Sequence, residues 1–440
     1  MFPLSADAQF WVTLGLFSVV LVGIFTELVE KSLLAAAGAA CVLLLGLLEP
    51  EGIFAAIDFN TLGLLLGMML VVGVAMELRL FEWLSVGILR QTGGRPLLIF
   101  LLFMVATFVL SSILNNVTTI LVLLPLTIGI ARGIGMNPKP LVLGEIILAN
   151  TGGLLTLIGD PVNTIVGSAA SLGMLDFLRA MWIPVCLHAV LLLWFIYGMN
   201  RAQLRDIRTE FLKVLHNQLV IQRVEKEFTS APFYRRDAFT AGGILILTIA
   251  AFLSADWLHL GPSQIALSAA AISLLVHHKR APLERILHQV EWTTLGFFLG
   301  LFVLVGALEH TGVLEDLAKF IADVSSNPYV LLALLLSVTA VVSAFVDNIP
   351  FVTIMIPIIR ALDQHQVVPD VHVLWYGLCL GAVMGGLASP FGSSANIVAL
   401  ATANKAGFRV STPLYLRTSI IASVSGVLIS YVYLVLAYDL

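Results

Sequence analysis

One pattern in this chain is written twice. Asp58-Phe59-Asn60-Thr61-Leu62-Gly63 recurs as Glu291-Trp292-Thr293-Thr294-Leu295-Gly296, and Leu114-Asn115-Asn116 with Pro125 recurs as Val346-Asp347-Asn348 with Pro357. Gly152-Gly153, Thr156, Gly159 and Asn163 return as Gly385-Gly386, Ser389, Gly392 and Asn396. Apolar composition alone does not predict that Asn, Pro, Gly and Asn keep an offset of 232 or 233 over about 110 residues. A doubled unit whose polar residues double with it points to an internal structural repeat built around a shared polar site.

The medium follows from composition. Hydrophobic residues make up 59% of the chain and charged residues 11%, whereas a soluble domain carries about 25% charged residues. An all-α polytopic membrane protein is expected. Apolar runs long enough to cross a bilayer lie at 9–27, 31–49, 59–77, 140–172, 177–199, 238–255, 261–277, 292–309, 373–402 and 412–435. The first does not read as a cleavable signal, because Met1 to Gln9 carries no Lys or Arg and no small-residue cleavage site follows. Cys41, Cys186 and Cys379 lie far apart inside apolar segments. They suit neither a disulfide framework nor a metal motif, and read as small core residues.

Orientation comes from the cations. Eight of the 23 Lys and Arg fall between Arg201 and Asp237, which places 200–237 in the cytoplasm of a plasma-membrane, bacterial inner-membrane protein. Two further stretches, 97–133 and 328–361, are apolar runs interrupted near the middle by a polar pair. Read as re-entrant hairpins, they leave Arg179, Lys319 and Arg360 outside and twenty cations inside. Each half, 8–199 and 238–437, then holds five crossings, a hairpin and a broken helix. Five is odd, so the second half starts on the opposite face and the repeats are inverted. Residues 78–94 and 310–325 read as interfacial helices.

Chemistry is expected at the tips and breaks. Asn115-Asn116-Val117-Thr118-Thr119 and Asp347-Asn348-Ile349-Pro350 put adjacent polar side chains into buried apolar runs. Without partners, these groups would be costly to bury. Asn150-Thr151-Gly152-Gly153 followed by Thr156-Leu157-Ile158-Gly159-Asp160-Pro161-Val162-Asn163 cannot stay helical, and neither can Gly385 to Asn396 with Ser389, Gly392 and Ser393. Unwound backbone at membrane depth belongs where it lines a cavity. Asp160 and Asp347 are the carboxylates within these elements, and an intramembrane acid is a functional candidate by default. Asp160 stands where the second half has Ser393, and Asp347 where the first has Asn115.

No Lys or Arg falls within a tip or break, the nearest being Arg132, Lys139, Arg360 and Lys405. An acids-only site suits a proton, a metal cation or a neutral polyol-like solute better than an anion. Glu145 is a further candidate for proton relay, and His188 reads as an interhelical hydrogen-bonder. Phosphate-binding loops, metal-ligand clusters and nucleophile triads are absent from the sequence. Neither an enzyme, nor a cofactor, nor a nucleic-acid partner is expected.

These tips and breaks resemble the ion transporter superfamily. Asn115-Asn116-x-Thr-Thr, Asp347-Asn348-Ile-Pro, Thr156-x-x-Gly159-Asp160-Pro161-x-Asn163 and Ser389-x-x-Gly392-Ser393-Ser394-x-Asn396 look most like the branch holding arsenite efflux permeases, D-type sodium/proton antiporters and the melanosomal P protein. The resemblance implies a scaffold flanking a transport region, elevator-like movement and, in the efflux branch, proton coupling. Sodium/carboxylate members read Ser-Asn-Thr at each tip and Gly-Thr-Pro-Pro-Asn at the break. The hydroxyls lost and acids gained here argue against sodium-coupled carboxylate uptake.

The first functional reading is a proton-coupled antiporter exporting arsenite and antimonite as neutral trihydroxides. Asn115, Asn116, Asn348 and Thr156 would hydrogen-bond the hydroxyls, with Thr119, Gly159, Asn163, Ser389, Gly392, Ser393 and Asn396 completing the site. Asp347, with Asp160 and Glu145 as further candidates, would carry the proton. The alternative is a sodium/proton antiporter using the same carboxylates. The sequence leaves open a cytoplasmic ATPase subunit and a homodimer.

Overall fold

The computed structural model describes residues 5–26, 29–92, 95–133, 135–204, 234–315, 327–364 and 369–438. Most of the charged 200–237 segment, Lys319 and most of 310–325 lie outside the described residues. Among those described, the chain is helical without a strand.

The first ten helices are α1 (Ala6–Thr26), α2 (Lys31–Leu45), α3 (Pro50–Ala56), α4 (Phe59–Glu77), α5 (Leu80–Thr92), α6 (Pro96–Ser111), α7 (Asn116–Gly133), α8 (Lys139–Gly153), α9 (Pro161–Ala169) and α10 (Met174–Leu204). The next ten are α11 (Arg235–Leu253), α12 (Ala255–Leu258), α13 (Pro262–His277), α14 (Leu283–Leu287), α15 (Trp292–His310), α16 (Pro328–Phe345), α17 (Asn348–Gln364), α18 (His372–Gly386), α19 (Ser394–Lys405) and α20 (Thr412–Ala437). Local chemistry sets many of the starts. Asp58 caps α4 by accepting from the N–H groups of Asn60 and Thr61, both at 3.0 Å. Proline opens α3, α6, α9, α13 and α16, where its missing N–H leaves no hydrogen bond unmade.

Eight described helices are long and apolar enough to cross a membrane. The 15-residue α8 and α18 are not among them; at 1.5 Å per residue each covers only about 22 Å of a roughly 30 Å core. Each is continued, beyond an unwound stretch, by the short helix α9 or α19. At 18 residues, α7 and α16 could span by length. The hairpin turns nevertheless lie within the protein: Leu114 is 1% exposed, Asn116 4% and Asn348 6%. Outer faces stay apolar, with Ile246, Leu247, Trp194 and Leu436 all strongly exposed, as lipid contact requires.

The halves exchange contacts reciprocally. Two helix pairs link the copies of the repeated motif: α2 packs along α15, which opens the second copy, and α13 packs along α4, which opens the first. Contact is backbone to backbone. A Cβ on Gly67 would stand 2.5 Å from the carbonyl carbon of Ala266, and one on Gly300 would stand 2.6 Å from that of Ala35. With α1, α3, α11 and α14 these helices form one bundle, and α6–α10 with α16–α20 form a second. The amphipathic α5 packs on α4, α6, α7 and α11, between the two. His188 bridges α10 to α20 as expected, its Nε2 lying 2.9 Å from the Ala422 carbonyl.

Gly67→Val is therefore expected to force α4 off α13. Overpacking costs about 1–3 kcal/mol or more when the obstacle is backbone. In detergent, size-exclusion chromatography would lose the monodisperse peak for Gly67→Val but keep it for Gly87→Ala, whose Cβ meets nothing within 4 Å.

Candidate functional site

The second bundle is built so that four helix starts meet. Asn115, Asp160, Asp347 and Ser393 stand immediately before α7, α9, α17 and α19. Asn115 Oδ1 accepts from the Val117 N–H at 2.7 Å, Asp160 Oδ1 from Val162 at 2.9 Å, and Asp347 Oδ1 from Ile349 at 3.3 Å. Asp160 and Ser393 share one extended backbone geometry, φ/ψ −141/139 and −150/137, although one side chain is an acid and the other a hydroxyl. Helix starts carry about +0.5 charge each, which favours carboxylates here.

Glycines let the tips enter the breaks. Gly159 lies where a Cβ would sit 2.5 Å from the Gly153 carbonyl oxygen and 2.8 Å from that of Ser111; for Gly392 the distances are 2.7 Å to Gly386 and 2.6 Å to Ser343. Each unwound stretch is held by the asparagine that follows it. Asn163 Nδ2 donates to the carbonyls of Gly153 and Thr156, both at 2.9 Å. Asn396 Nδ2 donates to those of Gly386 at 2.9 Å and Ser389 at 3.0 Å. The Thr156 hydroxyl donates to the Ser112 carbonyl, joining the first break to the first tip. Ser389 Oγ accepts from the N–H groups of Phe391 and Gly392, both at 3.1 Å.

A buried polar chain crosses between the halves. Asn116 Nδ2 donates to Asp160 Oδ2 at 2.9 Å and to Asn150 Oδ1 at 3.3 Å. Asn150 Nδ2 donates to Asn396 Oδ1 at 2.9 Å, and the Ser393 hydroxyl donates to Asn150 Oδ1 at 2.9 Å. Asn150 is thus the hub, 1% exposed. It begins the first break but is not among the residues the sequence marks for binding or coupling. Two amides stay open, one in the first break and one at the second tip: Asn163 Oδ1 is buried without a partner, and the Asn348 side chain, at Asn116's counterpart, makes no hydrogen bond among the described residues. Asp160 and Asp347 are near enough to interact electrostatically.

The acids-only reading needs correction. Asp347 forms an ion pair with Lys31, the first residue of α2, and its Oδ2 lies 3.5 Å from the Ser394 hydroxyl. Lys31 Nζ also stands 5.3 Å from the Phe297 ring centre. A cation therefore reaches the second tip from the other bundle, 316 residues away in sequence. Two of the expected residues stand apart from the polar chain. Thr119 only returns its hydroxyl to the Asn115 carbonyl at 3.1 Å. Glu145 is fully buried on α8 and neither oxygen has a partner within hydrogen-bond geometry. The hydroxyl of neighbouring Thr127 donates instead to the Leu123 carbonyl at 3.0 Å.

A crevice of about 640 Å³ runs between the two bundles, lined by Asp58, Ser168, Glu309, His310, Thr353 and Arg360 among others. A much smaller space, about 50 Å³, adjoins Asn115 and Thr118. Among the described residues, no group of three His, Cys, Asp or Glu could hold a metal ion.

Interrupted helices and polar hairpin tips that hold one buried and one half-buried carboxylate, inside a bundle sheathed in apolar surface, define a multi-pass membrane transporter. The chain belongs to the CitMHS family, described as citrate transporter, whose profile matches residues 21–381. It is 34% identical to an uncharacterized transporter of Mycobacterium tuberculosis, across 94% of this chain and 96% of that one. The P protein of Mus musculus is 29% identical across 95% of this chain, which spans 60% of the P protein. The solved YdaH transporter of Alcanivorax borkumensis, reported to have an unusual topology, shares the fold with a TM-score of 0.61 and 14% identity over 90% of each chain. The P-protein resemblance read from the tips and breaks is borne out. The family description names citrate, from the substrate class that the altered tips argued against.

Proposed function

We propose that this chain is a proton-coupled efflux antiporter of the bacterial inner membrane, exporting arsenite and antimonite as neutral trihydroxides. Its halves, 8–199 and 238–437, would be inverted across the membrane and joined by a cytoplasmic 200–237 segment. One observation carries the reading: the site offers open amides, Asn163 Oδ1 and the Asn348 side chain, in surroundings whose net charge is small. Four helix starts contribute about +2 in all and Lys31 one more, against two carboxylates, a sum of about +1. A small neutral solute with several hydroxyls fits such a site. A bare tricarboxylate would bring about three further negative charges to a place holding one buried and one half-buried acid. Asp347, half-buried and already exchanging its charge with Lys31, is the proton carrier in this reading. With Arg179 and Arg360 outside, as the charge pattern implies, the 640 Å³ crevice would open outward.

Sodium/proton antiport is the second reading, favoured by the same ion pair, since a carboxylate that seats an ammonium group can seat sodium. Everted vesicles separate the two. Arsenite-dependent proton movement that is indifferent to sodium is the expected result; a sodium response with none to arsenite overturns the first reading.

A further inference from the structure

The Lys31–Asp347 pair joins parts of the molecule that otherwise touch sparingly. Lys31 belongs to α2, which packs on α1 and α15; Asp347 opens α17, which packs on α9, α15, α16 and α18. The ion pairs recorded among the described residues are Lys31–Asp347, Arg79–Glu82, Arg280–Asp237 and Arg285–Glu77, and of these four only the first runs from one bundle to the other. Its setting is electrostatically lopsided. A lysine at the first position of a helix is repelled by the positive helix end, while an aspartate before the first turn is favoured there. Lys31 is thus poorly placed with respect to its own helix end and well placed against Asp347. The two side chains are 30% and 17% exposed, open enough for an ion from solution to reach them.

We propose that Lys31 is a tethered counter-cation that occupies Asp347 when no transported ion does, and thereby latches the second bundle to the first. Binding of a proton or metal cation at Asp347 displaces the ammonium group and frees the second bundle to move. This rests on the reading of Asp347 as the coupling carboxylate. Other charged or titratable groups around Asp347 are few. Asp160 at the start of α9 interacts with it across the site, and Ser394 adds a hydroxyl from α19. Helix α16 carries no charged residue, and α18 contributes His372 at its far end and the Cys379 thiol. Glu291 stands before α15, while Glu309, His310 and Arg360 border the crevice.

The latch predicts a contact that can be read without any substrate. Asn60 on α4 and Ser168 on α9 meet across the bundle boundary at 3.4 Å. Within the first bundle, Asn60 also accepts from the Ser263 N–H at 3.2 Å. In full-length protein with Cys41, Cys186 and Cys379 replaced, Asn60→Cys with Ser168→Cys reports the boundary. Asn60→Cys with Ser263→Cys corrects for the thiols' own pH dependence. Between about pH 8 and about pH 4, corrected cross-linking at the boundary should fall as protons displace Lys31. Lys31→Ala should lower the alkaline yield about fivefold, what one partly exposed ion pair can supply, and flatten the profile. Lys31→Arg should restore both. Parental yield and profile in Lys31→Ala would overturn the latch. A pH-independent parent whose yield still falls in Lys31→Ala would leave the latch standing and sink proton carriage by Asp347 instead.

Discussion

Asp347→Asn is expected to abolish substrate-driven proton movement while leaving the protein folded. The substitution is nearly isosteric, and the amide oxygen can still accept from the Ile349 N–H that Asp347 Oδ1 now holds at 3.3 Å. What disappears is the charge, and with it the ability to take up and release a proton. Lys31 loses its partner, but at 30% exposure it can be hydrated, so the stability cost stays within about 1 kcal/mol. Asp160 offers a less clean experiment. Its two oxygens accept from Val162 N–H and Asn116 Nδ2, both at 2.9 Å. An amide there would turn one of these contacts into donor facing donor, inside a site 2% exposed. Loss of transport in Asp160→Asn would therefore mix folding with coupling. A pH-sensitive dye in everted vesicles reads the Asp347 result directly, and parental proton movement in Asp347→Asn would remove this residue from the mechanism.

Much of the architecture was legible because its causes are local. Apolar run length marks the crossings, paired glycines and prolines mark the breaks, and polar doublets in apolar runs mark the hairpin tips. The reciprocal packing of α2 on α15 and α13 on α4 follows from the same doubling, which puts Gly67 and Gly300 at matching contact points. Two parts of the site were hidden for opposite reasons. Lys31 meets Asp347 across 316 residues, and nothing in the neighbourhood of Glu30-Lys31-Ser32 announces that meeting. Only its unfavourable place at a helix start hints that a partner exists. Asn150 was hidden because polarity that repeats is the signal in this sequence, and its counterpart in the second half is Val383. Each half supplies a backbone frame that does repeat, with Asn163 and Asn396 holding the same carbonyls. The chemistry inside that frame does not: Asp160 faces Ser393, Asn115 faces Asp347 and Asn150 faces Val383. Symmetry revealed the scaffold of the site and concealed what makes it asymmetric.

Asn150→Ala is expected to be the most destructive single change in the polar chain. The side chain donates to the Ile146 carbonyl at 2.8 Å and to Asn396 Oδ1 at 2.9 Å, and accepts from Ser393 Oγ at 2.9 Å and Asn116 Nδ2 at 3.3 Å. Asn116 keeps Asp160, but Asn396 Oδ1 and the Ser393 hydroxyl are left buried without these partners. Each such group costs about 1–3 kcal/mol, so a total of about 2–6 kcal/mol is taken from a stability that seldom exceeds about 15 kcal/mol. Melting in detergent should fall by about 5 °C or more, and transport should be lost with it, because the link between the halves' breaks is gone. Asn150→Val, the residue the second half carries here, should do no better despite closer volume. Asn150→Asp separates hydrogen bonding from shape. As a carboxylate it would face Asn396 Oδ1 with a negative oxygen, whereas protonated it can donate there and still accept from Ser393. The proton is therefore bound more tightly in the folded state, and this variant should gain thermal stability as pH falls, relative to the parent measured alongside. A parental melting temperature and transport rate in Asn150→Ala would mean that the hub is ornamental and that the two breaks are held in register by backbone packing alone.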